Sequence, residues 1–284
     1  MRLPDGRNIG CLQVGRPDGV PIFHFHGNGS SRREVEMLAD AAAAAGVRLI
    51  GLDRPGIGDS DPAPGRTLLD WPDDVAHAAD ALGIARFAIH GISAGGAYSL
   101  ACAYRIAHRL TACALVSSIC PPELVLQAAP AWMRAAWTIT RSRPDLSLAC
   151  MRFLLPDEPS GERGAQVRLA RIAPYLTRAD RDVLERPEVR GALVRSIAEG
   201  RRQGGEANRL ELLALLQDWN LPIERVALRE IFLWHGEADR VTPLGPARLL
   251  ADRLPSCNAT FLAGEGHFST PANHATEILA ALRA

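Results

Sequence analysis

The stretch Phe87-Ala88-Ile89-His90-Gly91-Ile92-Ser93-Ala94-Gly95-Gly96 decides the fold. An apolar run is followed by a tight turn and a small-residue segment, which predicts a buried strand that leads directly into a helix. The pentapeptide from Gly91 to Gly95 fits the pattern G-x-S-x-G, in which a strained turn exposes a serine hydroxyl. Glycines two positions before and after Ser93 leave room for that turn. The helix that begins at Ala94 points free amide groups at the same place.

Short apolar strands alternate with helical segments on both sides of this stretch. Such alternation predicts an α/β fold, with a mostly parallel central sheet flanked by helices on both faces. The other strands are expected near residues 8–14, 20–25, 48–52, 110–116, 231–234 and 259–262. The helices are expected near residues 32–45, 70–82, 94–107, 244–254 and 275–282.

The alternation of strands and helices stops between residues 121 and 218. Prolines separate a series of helical stretches in this part of the chain, and no run with strand character interrupts them. These stretches lie near residues 131–140, 146–154, 165–173, 189–197 and 210–216. We therefore predict a core of residues 1–120 and 219–284, with residues 121–218 inserted as a helical cap over the carboxyl edge of the sheet.

Composition narrows the possible functions. The formal net charge of the 284 residues is zero, so no basic surface indicates a nucleic-acid partner. Arginine supplies all 32 positive charges, and the absence of lysine excludes Schiff-base and Ser-Lys chemistry. The N-terminus lacks the apolar segment of a secretory signal, and no window suits a membrane span. We expect a cytoplasmic enzyme, monomeric or homodimeric, that acts on a small molecule.

Neither cysteine nor histidine spacing indicates a metal site. The six cysteines are scattered, form no C-x-x-C pair and are expected to be small core residues. His24 and His26 share one face of a predicted strand, but no third ligand stands at a recognisable metal spacing. We therefore predict that the protein uses no metal and no cofactor.

Two later loops carry the residues that a serine nucleophile needs. Asp239 and His267 each come shortly after a predicted strand, so both are expected at the same edge of the sheet as Ser93. A serine hydroxyl reacts poorly until a base takes its proton, and His267 is the candidate base. Asp239 would fix the imidazole tautomer and stabilise the imidazolium ion. The chain order serine, acid, histidine is that of the α/β type of serine hydrolase.

An oxyanion hole requires two backbone donors beside the reacting carbonyl oxygen. The residue after the nucleophile, Ala94, supplies one amide. The second is expected from Asn28, in the glycine-rich loop His26-Gly27-Asn28-Gly29 that follows a strand. Glycines on both sides of Asn28 would let the backbone approach a substrate closely. An ordinary strand-to-helix turn is the alternative for this loop.

With these motifs, the sequence resembles the α/β-hydrolase superfamily, in particular its capped, esterase-like members. The resemblance covers about 20–116 and 231–282. It rests on the His26–Gly29 loop, the Asp53-Arg54-Pro55-Gly56-Ile57-Gly58 loop, the serine turn, the Asp239 loop and Gly264-Glu265-Gly266-His267. Relatives that are epoxide hydrolases or haloalkane dehalogenases carry an aspartate nucleophile, which Ser93 argues against. The His-Gly-Gly-Gly motif of lipases is interrupted by Asn28.

The resemblance implies hydrolysis of a carboxylic ester with a small or medium acyl group, through an acyl-enzyme. Lactone, thioester and carbon–carbon bond hydrolysis by the same triad remain open, as does cofactor-free perhydrolysis. A non-catalytic ligand-binding protein of this fold is a further alternative. In the predicted cap, Trp132 and Trp137 are candidates to line a substrate pocket, although such residues also pack a cap onto its core.

Overall fold

A seven-stranded sheet forms the centre of the computed structural model, which describes residues 1–154 and 161–283. The strand order is β1-β3-β2-β4-β5-β6-β7, and every neighbouring pair is parallel except β1 with β3. The strands are β1 (Cys11–Gly15), β2 (Val20–Phe25), β3 (Val47–Leu52), β4 (Phe87–Ile92), β5 (Leu110–Val116), β6 (Ile231–Gly236) and β7 (Asn258–Leu262). The predicted α/β class is confirmed.

Thirteen α-helices accompany the sheet in the described part of the chain. They are α1 (Ala39–Ala44), α2 (Trp71–Ala81), α3 (Ala94–Arg105), α4 (Pro122–Ala128), α5 (Ala131–Ser142), α6 (Pro144–Leu154), α7 (Gly161–Ile172), α8 (Arg178–Leu184), α9 (Pro187–Gly200), α10 (Glu206–Leu215), α11 (Leu244–Arg253), α12 (Ser269–Asn273) and α13 (Ala275–Ala281). Short 3-10 helices occupy Arg32–Leu38, Leu68–Asp70, Ala107–Arg109, Ala173–Tyr175 and Ile223–Arg225.

Strand β4 lies in the middle of the sheet, between β2 and β5. All six of its residues are buried, because helices cover both faces of the sheet at this point. One apolar cluster packs α2, α3 and α11 against the sheet, and a second packs α1 and α13 against it. The carboxyl ends of the parallel strands share one edge, so the loops that follow β2, β4, β6 and β7 converge there.

In the described residues between β5 and β6, all the regular secondary-structure elements are helices. Helices α7, α8 and α9 share an apolar cluster of their own, and Met37, Phe268 and Ala272 of the sheet-bearing part pack against it. This arrangement agrees with the helical content predicted for residues 121–218. The division into core and cap at those boundaries stays a prediction.

The sequence-based assignment of elements was wrong at several short helices. The helix expected over 32–45 is a 3-10 helix, Arg32–Leu38, followed by the short α1. Helices α4, α8 and α12 have five to seven residues, which is too short for a helical period to emerge from the sequence. Helix α8 is specified instead by a capping box, in which Thr177 and Asp180 each bond the other's backbone amide.

Gly95 provides a test of how tightly α3 packs against the sheet. A Cβ atom at this position would overlap the carbonyl group of Phe25, which is backbone and cannot move aside. We predict that Gly95→Ala lowers the free energy of unfolding by about 3 kcal/mol or more, as for severe overpacking. Urea unfolding followed by circular dichroism measures this difference.

Gly191 in α9 is the matched control. A Cβ atom there would contact only the flexible end of Arg195, at 3.2 Å. Because alanine is the better helix former, Gly191→Ala should leave the free energy of unfolding unchanged or raise it by up to about 1 kcal/mol. Equal losses in the two variants would contradict this account of the packing.

Candidate active site

Ser93 occupies the sharp turn between β4 and α3, with φ 55° and ψ −118°. A positive φ is costly for a residue with a side chain, and such strain persists only where the surrounding structure enforces it. The flanking glycines are needed here: a Cβ at Gly91 would overlap Ser99 and Gly95, and one at Gly95 would overlap Phe25. The chain therefore holds Ser93 in a strained conformation at the carboxyl edge of the sheet.

Asp239 and His267 lie in the loops after β6 and β7, and they form a hydrogen bond. The His267 Nδ1 atom lies 2.8 Å from the Asp239 Oδ2 atom, which accepts its proton. The same carboxylate accepts bonds from the backbone amides of Val241 and Thr242, both at 2.8 Å, and from the Thr242 hydroxyl at 2.7 Å. These contacts fix the carboxylate and leave the Nε2 atom of His267 as its free proton acceptor.

The two partners shift each other's pKa values. Burial works to raise the pKa of Asp239, but the charge and hydrogen bond of His267, together with His235 and the Thr242 amide, lower it. For His267, burial works to lower the pKa, but the Asp239 carboxylate, together with the charges of Asp180 and Glu34, raises the pKa above the ordinary value of 6.5. The imidazole of His267 is thus a stronger base than a free histidine side chain.

Ser93 and His267 both line a cavity of about 560 Å³, together with Asn28 and Ala94. Its wall is mostly apolar and includes side chains from the helices between β5 and β6. The aliphatic, aromatic and thioether members of the wall from those helices include Val125, Met133, Trp137, Leu169, Ile172, Tyr175, Leu193, Ile197, Leu212 and Leu215. Ser93 and His267 therefore line one largely apolar cavity.

Asn28 and Ala94, the two expected oxyanion-hole residues, both line this cavity. Neither amide donates a hydrogen bond to another residue within 1–154 or 161–283. The side chain of Asn28 is held elsewhere: its Nδ2 atom donates to the carbonyl of Asn208 at 2.9 Å and to Glu211 Oε2 at 2.8 Å. Both amides are thus unpaired within the described residues, as the donors of an oxyanion hole would be.

Arg54 supports the loop of Asn28 through hydrogen bonds to its backbone. No pattern in the sequence indicates this role. This fully buried guanidinium donates to the carbonyls of His26 at 2.6 Å and Gly27 at 3.3 Å. It also forms an ion pair with Glu211 of α10, with 3.0 Å between Nη2 and Oε2. Arg54 belongs to the loop Asp53-Arg54-Pro55-Gly56-Ile57-Gly58. Glu211 lies 157 residues further along the chain, and no local sequence pattern connects the two residues.

Asp180 of α8 plays a similar part beside His267. Its carboxylate is fully buried and accepts bonds from the amides of Phe268 at 2.8 Å and Ser269 at 3.0 Å. The segment immediately after His267 is thereby attached to α8. The negative charge of Asp180 also helps to raise the pKa of His267, after the larger effect of Asp239. The sequence signal was the capping box Thr177-x-x-Asp180, which indicates a helix start and no more.

Only one of the two candidate tryptophans reaches the cavity. Trp137 is buried and lines it, whereas Trp132 is 67% exposed and does not belong to the described lining residues. Five residues along a helix correspond to a rotation of about 140° between side chains, so the two tryptophans of α5 point in different directions. The expectation that Trp132 lines the pocket is corrected on this ground.

The histidines considered as metal ligands have other partners. His24 contacts Glu34 at 3.0 Å and His90 at 2.9 Å, while His26 Nδ1 lies 2.8 Å from the carbonyl of Gly27. Within the described ranges, no three His, Cys, Asp or Glu side chains are grouped as a metal ion requires.

In the same part of the chain, no helix combines the length and apolar character needed to cross a membrane.

The fold and the cavity define an enzyme of the α/β-hydrolase superfamily. Within it, the chain belongs to the family described as Serine aminopeptidase, S33, whose profile matches residues 16–268.

Among curated proteins, a candidate non-heme haloperoxidase of Mycobacterium phage D29 is 32% identical over 122 residues. That alignment spans 43% of this chain and 43% of the relative, so the chain matches less than half of the relative's length.

Two solved structures share the fold over nearly the whole chain. A hydrolase from Pseudomonas aeruginosa PA01 superimposes with a TM-score of 0.73 at 20% identity, over 100% of this chain and 97% of that one. A thermophilic esterase from Thermogutta terrifontis gives a TM-score of 0.70 at 20% identity, over 99% and 93% of the two chains. Identities this low show a common fold and leave the substrate to be argued from the site.

Asp180 yields a prediction about the titration of His267. Asp180→Asn keeps an oxygen that can accept the amide bonds of Phe268 and Ser269 but removes the negative charge. Because that charge favours the imidazolium form, the pKa of His267 should fall, while remaining raised by Asp239. Titration of the His267 ring followed by NMR measures the change.

Asp182 on the same helix gives the control, since its side chain is 62% exposed and pairs only with Arg178 among the contacts described. Asp182→Asn should leave the pKa of His267 where it is in the unaltered protein. A pKa that is the same in the Asp180→Asn and unaltered proteins would show that Asp180 has no electrostatic influence on the histidine.

Proposed function

We propose that the protein hydrolyses carboxylic esters with small or medium acyl groups, through an acyl-enzyme formed on Ser93. One observation carries this proposal: a strained serine and a histidine that is hydrogen-bonded to a buried carboxylate, at 2.8 Å, line the same cavity. A serine hydroxyl becomes a nucleophile when a histidine oriented in this way takes its proton.

In the first step, the Ser93 oxygen attacks the ester carbonyl carbon while Nε2 of His267 takes the hydroxyl proton. The carbonyl oxygen becomes negative, and the amides of Asn28 and Ala94 donate hydrogen bonds to it. His267 then returns the proton to the alcohol oxygen as the carbon–oxygen bond breaks. Asp239 stabilises the imidazolium form between these two transfers.

In the second step, a water molecule replaces the alcohol. His267 takes a proton from the water as its oxygen attacks the acyl carbon, and the same two amides stabilise the second negative intermediate. The bond to Ser93 breaks, its oxygen regains the proton from His267, and the carboxylic acid leaves. The sequence of steps consumes one ester and one water, and it needs no external oxidant or reductant.

The cavity supports an apolar acyl group. Its volume of about 560 Å³ lies in the range of small-molecule sites, and its wall is mainly aliphatic and aromatic. The structural similarity to an esterase agrees with ester cleavage. The same triad can open lactones or cleave thioesters and carbon–carbon bonds, so these are the substrates to compare with esters.

The haloperoxidase relative favours a second reaction, perhydrolysis. Here hydrogen peroxide replaces water in the second step, and the acyl-enzyme is released as a peracid. The peracid then oxidises bromide in solution, with the peroxide as the source of the oxidising equivalent. Bromination of monochlorodimedone in a mixture of acetate, hydrogen peroxide and bromide, and its loss in Ser93→Ala, tests for this activity.

The decisive experiment for the proposed function is covalent labelling. A fluorophosphonate probe should label the protein at Ser93, and Ser93→Ala should abolish labelling and lower the hydrolysis of 4-nitrophenyl butanoate by about four orders of magnitude. Ser118→Ala is the control, since Ser118 lines the same cavity but its hydroxyl donates to the carbonyl of Ile119 at 2.8 Å. A folded protein that neither reacts with the probe nor hydrolyses esters is a binding protein, and the proposal fails.

The two tryptophans of α5 allow a test of the acyl pocket. Trp137→Leu enlarges the cavity, so kcat/KM for 4-nitrophenyl octanoate relative to the butanoate should rise by about tenfold. Trp132→Leu, on the exposed side of the same helix, should leave this ratio unchanged. A ratio that changes equally in both variants would place the acyl group elsewhere.

A further inference from the structure

Glu34 is a buried carboxylate at the cavity that the proposed reaction does not use. It lies in the 3-10 helix Arg32–Leu38, is 5% exposed, and lines the cavity with Ser93. Of the carboxylates in the described chain, Glu34 alone belongs to the cavity wall. An acidic group in a largely apolar wall is costly unless hydrogen-bond donors surround it.

The donors that the protein supplies to Glu34 are concentrated on one oxygen. Oε2 lies 3.0 Å from Nε2 of His24 and 3.1 Å from the amide nitrogen of Gly27. Within the described residues, Oε1 has only a 3.4 Å contact with that same amide. A carboxylate offers about four acceptor positions, so Oε1 retains capacity for a strong donor.

The histidines behind Glu34 fix its orientation. Nδ1 of His24 lies 2.9 Å from Nδ1 of His90, and both rings are buried in the sheet. With His90 donating to His24, the opposite nitrogen of His24 donates to Glu34. This buried chain of contacts holds Oε2 on the side of the sheet and leaves Oε1 on the side of Gly27 and Ser93.

Gly27 leaves a space between Glu34 and the nucleophile. A Cβ atom at this position would lie 3.6 Å from Oε1 of Glu34 and 3.6 Å from Cβ of Ser93, which are ordinary van der Waals distances. Its φ is not positive, so neither packing nor backbone conformation requires glycine here. The absence of a side chain instead leaves a space that borders both Ser93 and Glu34.

We propose that this space is a binding site for a hydrogen-bond donor, an amino or hydroxyl group, on the acyl chain of the substrate. The donor would bind Oε1 of Glu34 while the scissile carbonyl lies at Ser93, which places it within about three bonds of the carbonyl carbon. The inference rests on the proposed function for the position of the carbonyl. It adds a polar selectivity to a cavity that otherwise favours apolar groups.

Three 4-nitrophenyl esters of nearly equal shape test the proposal: the butanoate, the 3-hydroxypropanoate and the β-alanine ester. We expect kcat/KM for at least one donor-bearing ester to exceed that of the butanoate at least tenfold. Glu34→Met, which removes both acceptor oxygens, should reduce this preference at least tenfold. Glu34→Gln, which keeps an oxygen but no charge, should abolish a preference for the β-alanine ester and only weaken one for the hydroxypropanoate.

Glu36→Gln provides the matched control, because Glu36 lies on the same 3-10 helix, outside the described cavity wall, and pairs with Arg33 and Arg195. It should leave the ratios unchanged. If Glu34 only supports the loop of Gly27, all three esters will lose activity by the same factor in Glu34→Met and Glu34→Gln. That result, or a wild-type preference for the butanoate, would overturn the proposal.

Binding to the Ser93→Ala protein separates this inference from the proposed reaction. Calorimetry should show that β-alanine benzyl ester or benzyl 3-hydroxypropanoate binds at least tenfold more tightly than benzyl butanoate, and that adding Glu34→Gln or Glu34→Met reduces the difference. Equal affinities for the three ligands would refute the donor site even in a protein with full esterase activity. If the affinities differ but the unaltered protein hydrolyses no ester, the donor site is retained and the esterase function is rejected.

Discussion

The contact between Gly95 and the end of β2 is the constraint on which the arrangement of the candidate active site depends. The backbone of α3 approaches Phe25 and His26 so closely that no side chain fits at position 95. This contact brings the turn of Ser93 against the loop that begins at His26. Ala94 and Asn28 therefore line one cavity, although they lie 66 residues apart in the sequence. The strain at Ser93 is tolerated because this packing leaves its backbone no alternative.

Two carboxylates from the helices between β5 and β6 complete the arrangement. Asp180 binds the backbone just after His267, and Glu211 binds both Arg54 and the side chain of Asn28. Each holds a loop that faces Ser93. Removing the partners of either carboxylate would leave a buried negative charge uncompensated, which makes these contacts costly to break. The helices between β5 and β6 thus do more than cover the cavity, since they also fix the loops of its polar residues.

The strands, the class of fold and the position of Ser93 could be predicted from the sequence, because each rests on a local pattern. Asp239 and His267 were found by the same means, since each follows a strand at the predicted edge. Long-range partners left no such signal: Glu211 and Asp180 contact residues 157 and 88 positions away. Short helices such as α8 and α12 lack a readable period. Trp132 and Trp137 looked equivalent in sequence, and only the helix rotation separates them.

The most direct test of the account is the structure of the protein after reaction with diethyl 4-nitrophenyl phosphate. The account predicts a phosphoryl group bonded to Oγ of Ser93, with one phosphoryl oxygen within hydrogen-bond distance of both the Asn28 and Ala94 amides and Nε2 of His267 next to the Ser93 oxygen. An adduct on another residue would contradict it. So would an adduct on Ser93 whose phosphoryl oxygens all lie away from these two amides.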